Sequence, residues 1–219
     1  EYHPVPEVMY SLKGMEKIPK DAAISIRSIT RKGSERIIRA AFEYARKNNR
    51  KKVTVVNKAN VLRATCGLFL DVAKEVAKEY PDIEFDSANI DAICMWLIKN
   101  PLNYDVIVTT NLFGDILSDL CSQLVGGMGF ACSGNIGEKY AVFEPTHGSA
   151  PKYAGQYKVN PIASILAAKM MLDWLGETDR ANLLYQAVKD VIIESKVKTY
   201  DMGGTNTTIE MAKAIAEKL

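Results

Sequence analysis

Two aspartates spaced four residues apart, Asp115 and Asp119, are the first pair in this sequence whose types and spacing could do chemistry. They lie in NLFGDILSDL, a segment with helical period, so both carboxylates are predicted to project from one helix face, one turn apart. Like charges placed in this way repel each other, and a cation bound between them would reverse that repulsion. The helix dipole also favours aspartate near a helix N-terminus. The spacing alone therefore indicates either a metal site or an ordinary helix start.

A glycine-rich segment and a loop that contains His147 follow this predicted helix. The loop, residues 144–151 (EPTHGSAP), is too polar and too rich in Pro and Gly for a regular element. Asn160 and Pro161 then predict the N-cap and first residue of a long apolar helix. Such loops present backbone N–H groups at helix starts, which suits a cofactor that carries phosphates. The glycines of the segment are Gly126, Gly127, Gly129, Gly134 and Gly137.

Three further residues have types that could serve such a site, and each also has an ordinary interpretation. Lys58 follows the apolar run KVTVV, where α/β proteins often bind ligands, although most lysines are surface charges. Asp91 precedes an apolar helical segment and by its type would be the N-cap. Tyr10, in VMYSLKG, is typical of an aromatic residue on an edge strand.

Strands and helices alternate along the sequence, which predicts an α/β fold with much parallel pairing. Apolar runs and alternation predict strands over 22–29, 52–56 and 83–85, and in DVIVTT from Asp105. The first helix is predicted from about Ser34, with an inward stripe of Ile37, Ile38, Ala41, Phe42 and Ala45. Further helices are predicted over 68–80, 92–99, 162–175, 178–195 and 209–218, the last capped by Thr207 or Thr208.

The composition excludes several classes of function. Of the 219 residues, 47% are apolar, and the net charge of +2 arises from interleaved acids and bases, so neither nucleic acid nor a membrane is indicated as a partner. No apolar run approaches the length of a membrane span. The basic run RKNNRKK at 46–52 is interpreted as the solvated end of a helix. The four cysteines lack C-x-x-C spacing, which favours free thiols and a cytoplasmic location over zinc or disulfides.

Three stretches, NLFGDILSDL, GNIGEKYAVFEPTHGSAPKYAGQ and KVNP, resemble the β-decarboxylating dehydrogenases, the family of isocitrate, homoisocitrate and 3-isopropylmalate dehydrogenases. The similarity begins at about Tyr10, is greatest to the isocitrate enzymes and covers the C-terminal two-thirds of the family's length. It implies the family's α/β fold, with a largely parallel sheet, flanking helices and the N-terminal part of the large domain absent from this chain. Residues 1–125 would form a small dimerisation and metal-binding domain, and 126–219 the C-terminal part of the large cofactor-binding domain.

The resemblance also implies a two-step reaction. A secondary alcohol that bears a carboxylate is oxidised by hydride transfer to a nicotinamide, and the resulting oxo acid loses CO2. Lys58 would be the general base and Tyr10 the proton donor to the enolate. Asp91, Asp115 and Asp119 would bind Mg²⁺ or Mn²⁺, hard cations that prefer oxygen ligands. In the family Lys58 and Asp91 come from one subunit and the other two aspartates from its partner, so a homodimer with a composite site is expected.

The choice of cofactor is predicted from the loop after the histidine. The NAD-using members carry Asp then Ile after His-Gly-Ser-Ala-Pro, whereas this sequence has Lys152 and Tyr153, which suit a 2′-phosphate. Tyr200 matches the NADP-type pattern, although Gly204 occupies the position where that pattern has arginine. NADP is therefore predicted, with NAD as the alternative. The cofactor-binding residues that the motifs imply are His147, Gly148, Ala150, Lys152, Tyr153, Val159, Asn160, Tyr200 and Asn111.

The expected reaction converts isocitrate to 2-oxoglutarate, a step of the tricarboxylic acid cycle. Homoisocitrate or 3-isopropylmalate, oxidised with NAD, is the alternative, because the family distinguishes these acids through its N-terminal segment. Without that segment the 219-residue chain alone is expected to be inactive. An alternative of another class is a noncatalytic regulatory subunit, which tends to lose the catalytic acids or the histidine loop. The presence here of Lys58, His147 and the three aspartates favours catalysis.

Overall fold

A parallel sheet is present where the alternating pattern predicts one. The computed structural model describes residues 21–23 and 25–219. In them, three strands run parallel in the order β2 (Glu84–Asn89), β1 (Lys52–Asn57) and β3 (Val106–Val108). The pairing of β1 with β2 places Asn57 opposite Asn89, so the carboxyl ends of both strands lie at one edge of the sheet.

Helices flank this sheet. A separate antiparallel pair of strands, β4 (Cys132–Ile136) and β5 (Ala141–Pro145), precedes the last three helices in the sequence. The arrangement confirms the predicted α/β class. In the described part of the chain the helices are α1 (Arg31–Lys47), α2 (Thr65–Ala77), α3 (Ile90–Lys99), α4 (Asn111–Leu124), α5 (Ile162–Trp174), α6 (Thr178–Glu194) and α7 (Thr208–Ala216). Single 3-10 turns occupy Pro101–Asn103, Pro151–Tyr153 and Tyr200–Met202.

The chain divides into two compact units. One contains the described residues up to Ile93 together with Leu102–Thr110, and the other contains Cys94–Pro101 together with Asn111–Leu219. The predicted boundary after residue 125 therefore lies inside the second unit, and the roles assigned to residues 1–125 and 126–219 stay predictions. The core of the first unit includes Ile38, Phe42, Val53, Val55, Phe69 and Val72, and that of the second includes Ile162, Val188, Val191, Met211 and Ile215.

Helix α1 begins three residues before the predicted start at Ser34. Thr30 caps it, because the Thr30 hydroxyl accepts the N–H of Gly33 at 3.1 Å. Ile37 is 46% exposed, so its place in the predicted stripe was wrong; it lies to the side of the buried row. The rest of the stripe is buried as predicted: Ile38, Ala41, Phe42 and Ala45.

The strand predicted over residues 22–29 is absent from its described residues. Ile26 is 76% exposed, and only Ile29 of this stretch packs against the first core. Alternation produces a strand when a neighbouring strand supplies hydrogen bonds. The segment has no such partner in the described chain, so the prediction was wrong.

The boundaries of three later elements differ from the predicted ones. Helix α2 ends at Ala77, before Tyr80, which is nevertheless buried and stacks on Phe42 with ring centroids 4.9 Å apart. Helix α3 begins at Ile90, so Asp91 lies in its first turn and is not its N-cap. Strand β2 extends further than the predicted 83–85, because the whole of β1 is available for pairing.

The 144–151 segment contains more regular structure than predicted. Glu144 and Pro145 complete β5, where they pair with Ser133 and Cys132. Both faces of this hairpin are largely accessible to solvent, so the strand does not need a buried apolar face. Its polar residues therefore did not predict a strand.

The start of α5 is displaced by one residue from the prediction, because Pro161 is its N-cap and Asn160 precedes it. The side chain of Asn160 still accepts the N–H of Ile162, the first residue of the helix, at 3.0 Å. Gly176 follows this helix with a φ of +84°, the left-handed backbone expected of a C′ glycine. Thr207 and Glu210 form a capping box at the start of α7.

No helix of the described residues is long and apolar enough to cross a membrane. All four cysteines are free thiols, as predicted, and Cys66 is buried. Burial raises the pKa of the Cys121 and Cys132 thiols, which keeps them protonated near neutral pH.

Candidate functional site

Lys58 and Asp91 lie side by side because the strands that precede them are neighbours. Since Asn57 and Asn89 pair across the sheet, the residues that follow them emerge at the same edge. The Nζ of Lys58 lies 2.5 Å from Oδ1 of Asp91. Hydrogen bonding from the Lys58 ammonium, and then from backbone N–H groups at the start of α3, lowers the pKa of Asp91. The Asp91 carboxylate is therefore ionised at neutral pH.

Asp115 and Asp119 lie one turn apart on α4, as their spacing predicts, and both are exposed. Neither makes an ion pair with any residue in the described chain. Leu112 and Ile116, also one turn apart on α4, are about half exposed, at 49% and 48%. Two unpaired carboxylates and two accessible apolar side chains therefore lie along the same helix.

The metal site stays a prediction. Among the described residues, no group of three or more His, Cys, Asp or Glu side chains is placed to hold a metal ion. The prediction takes Asp91 from one copy of the chain and Asp115 and Asp119 from another, so it concerns an assembly of two copies. Tyr10, the predicted proton donor, lies outside the described residues.

A cavity of about 470 Å³ lies in the second unit. Its volume is within the range of small-molecule and cofactor sites. Of the nine predicted cofactor-binding residues, seven line it: His147, Gly148, Ala150, Tyr153, Val159, Asn160 and Tyr200. Lys152 is not in the lining, but its ammonium lies 4.9 Å from the centroid of the Tyr153 ring. Asn111, the first residue of α4, is also outside the lining.

Half of the residues that line the cavity were not predicted to bind the cofactor. The additional lining residues are Gln123, Gly126, Gly127, Met128, Gly129, Ser149 and Asp201. The glycine-rich segment was the signal for most of them, since Gly126 and Gly127 have φ angles of +114° and +101° and so form a turn that other residues adopt rarely. Asp201 carried no signal of its own, because only the fold brings it beside these glycines.

Asp201 joins three stretches of chain around the cavity. Its Oδ2 accepts a hydrogen bond from Nδ2 of the buried Asn160 at 3.0 Å, and its Oδ1 accepts one from the Thr199 hydroxyl at 2.5 Å. A Cβ added to Gly129 would lie 2.4 Å from the same Oδ2. The carboxylate therefore needs a glycine at position 129, and it fixes the turn at Tyr200 to the start of α5.

The histidine loop approaches the cavity through a left-handed residue. Ala150 has a φ of +44°, a conformation that costs a non-glycine residue about 1 kcal/mol or more. The following turn is closed by the N–H of Tyr153, which donates to the carbonyl of Ala150 at 2.9 Å. The Nδ1 of His147 lies 2.8 Å from the carbonyl oxygen of Gly148. A carbonyl only accepts, so Nδ1 carries the proton and Nε2 is left to interact with a ligand.

Two tyrosines close the other end of the cavity. The ring centroids of Tyr153 and Tyr200 are 5.7 Å apart. Interaction with the Tyr200 hydroxyl, with a further contribution from Lys152, lowers the pKa of Tyr153, and the same interaction raises the pKa of Tyr200. The two phenols therefore act as one polar unit beside a cation.

Comparison with known proteins gives a family match over residues 6–215, to the model described as isocitrate/isopropylmalate dehydrogenase. Homoisocitrate dehydrogenase of Methanocaldococcus jannaschii is 55% identical over 92% of this chain and 58% of its own length. 3-Isopropylmalate dehydrogenase of Archaeoglobus fulgidus is 52% identical over 91% of this chain and 61% of its own length.

Among solved structures, isocitrate dehydrogenase from Methylococcus capsulatus superposes with a TM-score of 0.88 and 52% identity, over 92% of this chain and 60% of that one. The chain therefore spans about 60% of the length of the relatives that it matches.

Proposed function

We propose, because this chain belongs to the isocitrate/isopropylmalate dehydrogenase family, that the protein is a metal-dependent, NADP-linked dehydrogenase that oxidises and decarboxylates a 2-hydroxy-3-carboxy acid. The observation that carries the proposal is the cavity of the second unit. Seven residues from separate parts of the sequence, all expected to bind the cofactor, line that one cavity. Cofactor sites of this kind combine backbone N–H groups with a few convergent polar side chains.

The chemistry of three aspartates fits a divalent cation. Carboxylate oxygens are the ligands that Mg²⁺ and Mn²⁺ prefer. Asp115 and Asp119 have no cationic partner in the described chain, and Oδ2 of Asp91 lies outside the bond to Lys58. When bound, the cation would polarise the oxygens of the substrate and stabilise the charge that develops on decarboxylation.

Lys58 is placed to hold or move the proton of the substrate hydroxyl. Its Nζ lies at the edge of the sheet and is held there by Oδ1 of Asp91, so its position is fixed before substrate binds. Asp91 would thus orient the base and also bind the metal. Tyr10 completes the proposed pair as the donor that returns a proton to carbon.

The proposal of NADP over NAD is supported by the end of the cavity formed by Tyr153 and Tyr200. The Lys152 ammonium and two phenol groups lie there, and these groups can donate to a phosphate. A carboxylate at the same place would accept from the 2′-hydroxyl of NAD and repel the 2′-phosphate of NADP.

We propose isocitrate as the substrate. The name of the 55% identical relative, homoisocitrate dehydrogenase, favours a second candidate, in which a longer acid is oxidised with NAD. The regulatory-subunit alternative receives less support, because the Lys58–Asp91 pair and the unpaired carboxylates of α4 are retained.

A homodimer is proposed as the active assembly. Asp115 and Asp119 share α4 with the exposed apolar side chains of Leu112 and Ile116. Exposed apolar side chains next to functional carboxylates are expected where a second copy of the chain packs.

The decisive experiment replaces Asp115 by Asn in the full-length protein. We expect Asp115→Asn to lower kcat by at least about a hundredfold, since the lost charge weakens a metal contact worth several kcal/mol in the transition state. Turnover is followed as Mn²⁺-dependent NADPH formation with isocitrate, homoisocitrate and 3-isopropylmalate in parallel. Calorimetric titration with Mn²⁺ gives a readout that is independent of turnover.

Asp71→Asn is the matched control, because Asp71 is an exposed aspartate of α2, in the first unit, and pairs only with Lys74 among the described residues. Its kcat and Mn²⁺ affinity should equal those of the wild type. Unchanged Mn²⁺ binding and turnover in Asp115→Asn would reject the metal role, and a wild type that reduces NAD faster than NADP would reject the cofactor.

A further inference from the structure

Lys158, the first residue of the KVNP motif, is an exposed lysine to which the sequence analysis assigned no role. Its Nζ lies 5.5 Å from the ring centroid of Tyr153 and 5.1 Å from that of Tyr200. A cation over an aromatic face is attracted to the ring, and here one ammonium is attracted to two. The ammonium group of Lys158 is therefore held near both tyrosine rings.

The backbone that carries Lys158 is held on both sides. The carbonyl of Tyr157 accepts the N–H of Thr208 at 2.7 Å, and the carbonyl of Val159 accepts the Thr208 hydroxyl at 2.5 Å. Tyr157 also has a left-handed φ of +49°, which a surface loop without a constraint would avoid. The start of α7 thus fixes the direction in which Lys158 leaves the chain.

The positive charges at this place have no carboxylate partner. In the part of the chain that the structure describes, neither Lys152 nor Lys158 makes an ion pair. The nearby carboxylate of Asp201 is occupied by Asn160 and Thr199. Two ammonium groups that share aromatic neighbours repel each other unless an anion lies between them.

The turn after Tyr200 does not add a cation of its own. A Cβ added to Gly204 would lie 2.2 Å from the carbonyl oxygen of Lys198, so the observed backbone excludes any side chain at that position. Among the described residues, the second cation beside the tyrosines is Lys158.

We propose that Lys158 binds the 2′-phosphate of NADP together with Lys152, Tyr153 and Tyr200, and so determines the preference for NADP over NAD. The inference rests on the proposed NADP-linked function. The two ammonium groups and the Tyr200 ring all lie beside the Tyr153 ring, and together these groups supply donors and charge for a dianion. The 2′-hydroxyl of NAD is uncharged and gains little from a second ammonium.

The test is Lys158→Met in the full-length protein, which keeps the apolar stem and removes the charge. We expect KM for NADP to rise about tenfold, the value of one charge-assisted hydrogen bond, with kcat and KM for NAD unchanged. 2′,5′-ADP should inhibit the variant about tenfold less strongly, while inhibition by 5′-AMP stays the same. Lys158→Arg should retain most of the preference for NADP.

Lys189→Met is the matched control, because Lys189 is an exposed lysine of α6 outside the cavity lining. It should leave the constants for both cofactors unchanged. Equal increases in KM for NADP and NAD in Lys158→Met would overturn the inference, since Lys158 would then only support the two rings. If the wild type uses NADP and Lys158→Met has the same preference for NADP over NAD, only this inference is overturned. If the wild type prefers NAD, both this inference and the proposed NADP-linked function are overturned.

Discussion

At the residue scale, the cavity depends on one carboxylate and one missing side chain. Asp201 binds Asn160 and Thr199, and its Oδ2 lies where a Cβ at position 129 would be. The carbonyl of Gly129 also accepts the N–H of Ala163 in α5 at 2.8 Å. The glycine therefore has a steric role that differs from the conformational role of Gly126 and Gly127.

We predict that Gly129→Ala weakens both the fold and cofactor binding. The added methyl group would lie 2.4 Å from Oδ2 of Asp201 and 3.0 Å from Cβ of Asn160, so one of these groups must move. Overpacking of this kind costs about 1–3 kcal/mol. The free energy of unfolding, measured with urea, should fall by that amount, and KM for NADP should rise several-fold.

The control for this prediction is Gly67→Ala. Gly67 lies in α2, and a Cβ there would meet nothing within 4 Å. Alanine should stabilise that helix by about 1 kcal/mol at most. The steric interpretation of Gly129 would be wrong if the two variants had the same stability and the same KM.

At the element scale, two ion pairs join α1 to the residues that follow α2. Arg39 donates to both oxygens of Glu79, at 2.6 and 2.7 Å, and Arg46 donates to Asp82 at 2.5 Å. Hydrogen bonding to these arginines holds the pKa of Glu79 below 4.5 and that of Asp82 below 3.8. The pairs are exposed and screened by water. Their contribution is therefore measured through the pH dependence of the free energy of unfolding.

We predict that these pairs contribute to loss of stability in acid. A carboxyl group whose pKa is lowered by folding stabilises the folded state above its unfolded pKa, and this contribution is lost as the pH falls through its folded pKa. Stability should therefore be level above about pH 5 and decline below about pH 4.5. The double variant Arg39→Met/Arg46→Met should show a shallower decline in urea unfolding measured from pH 6 to pH 3.

Arg180→Met provides the comparison, since Arg180 pairs with Glu177 only three residues away and joins no second element. Its pH dependence should match that of the wild type. A decline as steep in the double variant as in the wild type would mean that other carboxyl groups control the acid transition.

At the scale of the whole molecule, the proposed active site requires two copies of the chain. Asp91 and Lys58 would come from one copy, and Asp115 and Asp119 from the other. The described part of a single chain offers no group of three metal ligands, and α4 has exposed apolar side chains beside its aspartates. A site shared between two copies can be restored by exchange of subunits between two inactive variants, whereas a site within one chain cannot.

We predict that two inactive variants, Asp91→Asn and Asp115→Asn, restore activity when they exchange subunits. In a mixed dimer, both substitutions fall in one site and the other site is intact. Random exchange gives half mixed dimers, each with one of two sites intact, so about a quarter of the wild-type activity should return.

Turnover is measured after the two full-length variants are co-expressed or are unfolded and refolded together. Each variant refolded alone is the control and should stay inactive. If the mixture regains no activity although mixed dimers are demonstrated by mass spectrometry, the site is not shared between copies.

The sequence by itself determined the class of the fold and half of the residues that line the cavity. Periodicity and capping residues are local, so the helices around Phe42, Val72 and Val188 and the cap at Thr207 could be predicted. Seven residues of the motifs line one cavity, because loops with glycine and histidine are themselves short continuous segments.

Only the tertiary structure decided which distant residues meet. The pairing of β1 with β2 brings Lys58 to Asp91, and the turn at Tyr200 brings Asp201 to Asn160 and Gly129. Residues 22–29 have the pattern of a strand but lack a neighbouring strand in the part of the chain that the structure describes, whereas β5 lacks the pattern but has a neighbour. Both outcomes have the same physical reason: hydrogen bonds between strands, and contacts between residues far apart in the chain, depend on the partner as much as on the segment.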